Sequence, residues 1–219
     1  MLYRDGVYRD LQGMDREALA CFTRTLSIDP RFVPAWLAQG MLHRRRGRLP
    51  EAAACYRRAL SIDPRRISAR YRLAETLVVL GRTEEAIARY REVLDEDPRF
   101  VGAWIGLGYA HFTQHRYEEA IDCYDRAIAL VPDNPRVWTL KGGALYALGE
   151  YRNAFACFDR ALAVDPRHAA AWSMTCSVLY HLGMYRAALL CAEKALALDP
   201  SCRLTRQARG MLEEIVRQW

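Results

Sequence analysis

Seven cysteines and a pair of histidines are the first candidates for chemistry in this chain of 219 residues. Five of the cysteines, Cys21, Cys55, Cys123, Cys157 and Cys191, stand one or two steps of 34 residues apart. Equivalent positions on neighbouring packed helices lie roughly 10 Å apart. A disulfide needs Cα atoms within about 7 Å. The cysteines therefore read as small packing residues, reduced and without metal. His111 and His115 have the i, i+4 spacing that can pin a metal on a helix face. However, His111 shares its place in the repeat with His43, and His115 stands where glycine otherwise recurs, so both read as structural. No Walker loop, GxGxxG, HExxH or Ser–His–Asp arrangement is present. The expectation is a chain that is not an enzyme and that carries no cofactor and no metal.

The arginines are the other chemical feature. Of 32 basic residues 30 are arginine, and between Arg31 and Arg72 eleven arginines face only Glu51 and Asp63. Net charge is +6, so this one stretch holds more than the whole excess. The run Arg44-Arg45-Arg46 ends an apolar-periodic segment. Cations there complement the negative end of a helix dipole, and they also suit recognition of an anion.

The elements that position these residues follow from a 34-residue period. Pro30, Pro64, Pro98, Pro132, Pro166 and Pro200 keep it without a slip. So do Ala18, Ala52, Ala86, Ala120, Ala154 and Ala188. An aromatic column runs Phe22, Tyr56, Tyr90, Tyr124, Phe158 and breaks at Ala192. A glycine column runs Gly13, Gly47, Gly81, Gly149, Gly183, with His115 in the gap. Proline without an N–H ends a helix. Glycine closes one by adopting the left-handed conformation. Between these marks, segments such as VPAWLAQGML and EAAACYRRAL are apolar at i, i+3, i+4 and i+7, which predicts helix. Helices are expected near 34–46 and 51–62, recurring every 34 residues, with no β-sheet. No apolar run is long enough to span a membrane, and the opening MLYRDGVYRD is charged where a signal peptide would be apolar. Both point to a cytoplasmic protein with no membrane partner.

The columns resemble the tetratricopeptide repeat, a 34-residue helix–turn–helix with W-x2-L-G-x2-Y, A-x3-F and a closing proline. The best local match is Trp104, Leu107, Gly108, His111, Ala120, Tyr124, Ala127 and Pro132, where His111 holds the place of the family's tyrosine. The resemblance covers six units: 1–32, 33–66, 67–100, 101–134, 135–168 and 169–202. Residues 203–219 carry an apolar stripe of Leu204, Ala208, Met211, Leu212, Ile215 and Trp219, read as a C-terminal capping helix. The resemblance implies an all-α, right-handed superhelical α-solenoid whose first helices line a concave groove.

Carried onto this sequence, the family's groove columns give Leu37, Met41, Arg44, Arg45, Tyr71, Arg72, Ile105, Tyr109, Phe112, Leu140, Tyr146, Met174 and Tyr180. The implied function is a protein–protein interaction scaffold that binds a partner segment, apolar or helical and with acidic residues. Gly106 and Gly143 are expected to leave room for its approach. The Hsp70/Hsp90 carboxylate clamp is absent: its columns hold Leu37, Met41, Gly102 and Gly106, and Arg72 alone suits it. The asparagine ladder that holds extended peptides is absent as well. The alternative is single-stranded nucleic acid on the arginines and groove aromatics, which the shortness of the basic stretch argues against. The uncapped first helix leaves an open end, where either fraying or self-association is expected.

Overall fold

The computed structural model describes residues 1–218, so Trp219, expected in the terminal stripe, lies outside the described residues. The described residues form thirteen α-helices and no strand. They are α1 (Leu2–Leu11), α2 (Asp15–Ile28), α3 (Val33–Arg45), α4 (Leu49–Ile62), α5 (Ile67–Val79), α6 (Thr83–Glu96) and α7 (Val101–Thr113), followed by α8 (Tyr117–Leu130), α9 (Pro135–Ala147), α10 (Tyr151–Val164), α11 (Ala169–His181), α12 (Tyr185–Leu198) and α13 (Arg203–Arg217). The chain is an all-α solenoid. It divides into two compact units, Met1–Ala110 and His111–Trp219.

In the first unit, α1 packs on α2, α3 on α4 and α5 on α6, and α2 and α4 also pack on the helices that follow them. In the second, α9 pairs with α10 and α11 with α12, and α8, α10 and α12 each contact the next helix. Each apolar face is thus buried against chain neighbours. In the first, second and fifth hairpins the core is a ring set against a glycine. Phe22, Tyr56 and Phe158 are fully buried. A Cβ added to Gly6, Gly40 or Gly142 would lie 2.6, 2.5 or 2.5 Å from those rings. The columnar alanines Ala18, Ala52, Ala86, Ala120, Ala154 and Ala188 are completely buried beside them.

Two turn chemistries alternate. The first helix of each hairpin closes with a left-handed residue. Gly149 has φ +81°; its N–H donates to Tyr146 O at 3.0 Å, and Glu150 N–H donates to Leu145 O at 2.9 Å. This is the Schellman closure. His115 takes the same place at φ +60°, the one non-glycine with positive φ among the described residues. Its Nδ1 is 2.7 Å from Tyr117 Oη. The turn between hairpins is closed by a carboxylate or amide before the next helix. Asp29, Asp97, Asp165 and Asp199 each accept the N–H two residues on, and Asn134 does so as the N-cap of α9. The proline carbonyl is then taken by the following first helix. Trp36, Trp104, Trp138 and Trp172 donate Nε1–H to Pro30, Pro98, Pro132 and Pro166 at 2.8–2.9 Å. Where tryptophan is missing from the column, Arg70 and Arg206 make the same bond to Pro64 and Pro200.

The terminal helix α13 packs on α12. Leu212 and Thr205 are its buried residues, with Ala208 against the same cluster. The expected stripe is thus only partly inward. Leu204 and Met211 are 77% and 54% exposed, and Thr205, polar and absent from that stripe, is buried with its hydroxyl 2.7 Å from Ser173 Oγ.

Candidate partner-binding faces

In the first unit, α3 carries Leu37, half-buried, and Met41, exposed. One turn on is Arg44, which makes no ion pair among the described residues. Arg45 differs from the expectation of a groove cation. Its guanidinium is held by Asp10 at 2.5 Å and by Asp15, while Arg46 Nε donates to Asp15 at 3.0 Å. The bond from Arg45 holds the Asp15 carboxyl below the usual carboxylate range. This cluster ties α3 to the first hairpin. On α5, Arg72 donates to Glu75 at 2.9 Å, with its guanidinium carbon 5.6 Å from the Tyr71 ring centre. Tyr71 leans on Tyr90 and Phe100, and burial together with Glu75 pushes its phenol up. On α7, Ile105 is half-buried and Tyr109 exposed. Gly106 does not leave room for a partner as expected: a Cβ there would overlap the Tyr90 ring, so the space serves the core.

In the second unit the first helices carry Phe112, Leu140, Tyr146, Met174 and Tyr180, all with accessible surface. Gly143 has no atom within 4 Å of where a Cβ would stand, so here the expected room exists. Three of these rings are anchored across the helix–turn–helix. Phe112 packs on Tyr117, Tyr146 on Tyr151 and Tyr180 on Tyr185, at 5.4–5.7 Å between centroids. Anchoring lowers the entropy lost when such a ring meets a partner.

His181, which lies outside the family's groove columns, completes this row. Its Nε2 is 2.9 Å from Tyr146 Oη, and its ring stacks on Tyr151 at 4.6 Å and 5°. The signal for it was periodic: position 181 is four repeat lengths beyond Arg45, and Tyr146 and Tyr151 are four beyond Asp10 and Asp15. One slot between hairpins is filled by an ion cluster in the first unit and by stacked rings in the second. Ala208 and Met211, expected only in the terminal stripe, also border this row. With Tyr146, Ser177, Tyr180 and His181 they line a cleft of about 130 Å³ between α9, α11 and α13. Among the described residues no three His, Cys, Asp or Glu side chains gather as metal ligands, and no helix is long and apolar enough to cross a membrane.

Family models described as tetratricopeptide repeat match residues 33–66, 71–135 and 107–174. The chain belongs to the tetratricopeptide-repeat family. Tetratricopeptide-repeat proteins are generally non-catalytic scaffolds for protein–protein interaction, and this chain shares that architecture. A search of curated proteins gives no significant match. Among solved structures it resembles PilW, a type IV pilus biogenesis factor, with 20% identity, TM-score 0.84, and 94% and 96% of the two chains covered. It resembles a chain of the APC/C hetero-tetramer Cut9–Hcn1 with 19% identity and TM-score 0.79; 96% of this chain matches 42% of that one. YrrB, described as having an unusual peptide-binding site, matches with 21% identity and TM-score 0.65 over 86% and 97%. At these identities the likeness is one of fold.

Proposed function

We propose that this tetratricopeptide-repeat protein binds a protein partner through the exposed faces of its first helices, and that the partner offers both apolar side chains and acidic residues. The row Phe112, Leu140, Tyr146, Met174 and Tyr180 carries this reading, because large apolar side chains lie accessible there beside the open backbone at Gly143. Burial at such a face stabilises a complex by roughly 25 cal/mol per Å2 before association costs. The acidic preference rests on the first unit, where among the described residues Arg44 has no carboxylate of its own and Arg72 pairs with Glu75. These charges set orientation and encounter rate more than affinity. The peptide-binding site in the description of YrrB supports the partner class.

Capture of partners from the native cell extract, followed by variants, tests the reading. Leu140→Ala with Met174→Ala is expected to weaken capture strongly at every salt concentration. Arg44→Glu is expected to weaken it mainly at low ionic strength. The reading fails if the apolar pair is silent while Arg44→Glu abolishes binding of single-stranded nucleic acid.

A further inference from the structure

The sixth hairpin is the one whose second helix supplies no ring to the aromatic column: Ala192 breaks the run of Phe22, Tyr56, Tyr90, Tyr124 and Phe158. In α1–α2, α3–α4 and α9–α10 a glycine faces a ring: Gly6 with Phe22, Gly40 with Tyr56, Gly142 with Phe158. The equivalent positions in α11–α12 hold Cys176 and Ala192, both buried. The cysteine side chain takes back the volume next to the backbone. Around this pair the buried cluster is completed by Leu179 and Leu212, with Ala208 packed against it, rather than by a ring at position 192. Tyr90 shows where the outer part of such a ring lies, since its Cζ and Oη reach the position of a Cβ at Gly106, on the next first helix. The residue equivalent to Gly106 on α13 is Ala208. At that place the second unit has the cleft of about 130 Å³, floored by Cys176, Ala208 and Leu212 and edged by Ser177, His181 and Met211.

We propose that this cleft is an anchor pocket for one aromatic side chain, Phe or Tyr, of the partner; the proposal rests on the interaction role argued above. Its chemistry continues an interface already present in the molecule. Phe22, Tyr56, Tyr90 and Phe158 hold the same space between hairpins elsewhere, each buried to 2% exposure or less. The mouth suits a ring. Tyr180 and Met211 are exposed there, and the Tyr146–His181 hydrogen bond fixes a further ring edge. Aromatic edges and a thioether favour an incoming ring. The Ser177 hydroxyl offers a hydrogen-bond partner for a phenol tip.

The probe is p-cresol, the tyrosine side-chain analogue, titrated into the full chain with 13C-methyl methionine. A saturable shift is expected at Met211, with Met14 and Met41 unmoved. Cys176→Gly with Ala192→Phe gives the sixth hairpin the glycine–ring pair of the first, second and fifth, and its ring is expected to fill the cleft from within. This variant is expected to keep or raise the melting temperature, weaken p-cresol binding by about tenfold or more, and lose partner capture. Ala208→Phe blocks the same space from α13 and serves if the double variant does not fold. The proposal is overturned if p-cresol gives no saturable shift at Met211, or if a folded, filled variant still binds it. It is also overturned if that variant captures partner as well as the native chain does, an outcome that leaves the broader reading, tested by Leu140 and Met174, intact.

Discussion

At the scale of single residues, shared columns do not mean shared reactivity. Cys55, Cys157, Cys176 and Cys191 are buried thiols, and burial pushes Cys55 and Cys176 up to about 11. Cys202 is half-buried, and its hydrogen bonding with Thr205, at 3.0 Å, lowers its pKa. The thiolate is the nucleophile. Iodoacetamide at pH 8 should therefore modify Cys202 first among the C-terminal cysteines. Denaturation without reductant should expose all seven of the sequence's thiols to labelling. Peptide mapping that finds Cys176 or Cys191 labelled as fast as Cys202 would contradict the packing. Thr205→Val should slow Cys202 by removing the hydroxyl.

At the scale of the helices, the pair Gly142 and Phe158 makes a sharper demand than any columnar alanine. A methyl at Gly142 would stand 2.5 Å from the ring of a residue that is completely buried. Gly142→Ala should cost about 1–3 kcal/mol by overpacking, although alanine is the better helix former. Urea denaturation measures this directly, and a stabilised variant would refute the packing argument. Helix positions were legible because proline and glycine act locally: the expected 34–46 and 51–62 correspond to Val33–Arg45 and Leu49–Ile62. What faces what across two helices was not legible. A column says that two residues occupy the same kind of place, not which side chain stands opposite. The column of Arg45 points to a groove, yet its partners Asp10 and Asp15 lie 35 and 30 residues earlier. Gly106 was assigned to the same surface, and its room belongs to Tyr90. The row Phe112, Leu140, Tyr146, Met174 and Tyr180 could be located from sequence; the ring missing beside Cys176 became visible only against the filled hairpins.

At the scale of the whole chain, charge is uneven, with the basic excess gathered between Arg31 and Arg72. The helix α1 that borders this stretch has no side-chain cap and leaves Tyr8 and Leu11 exposed, at 65% and 78%. What holds its C-terminal end to α3 is the slot in which Arg45 meets Asp10 and Asp15. Arg45 is 51% exposed, so dissolved ions screen these pairs. The equivalent slot of the second unit is ring stacking between Tyr151 and His181, which added electrolyte leaves in place. Amide exchange in residues 2–12 should accelerate between low and high sodium chloride, while residues 140–148 stay unchanged; equal responses would refute this. One repeated joint, built once from ions and once from rings, thus gives the two ends of the chain different sensitivities. The N-terminal hairpin should loosen in brine and tighten in dilute buffer, so the ionic composition of the medium becomes a dial on that joint.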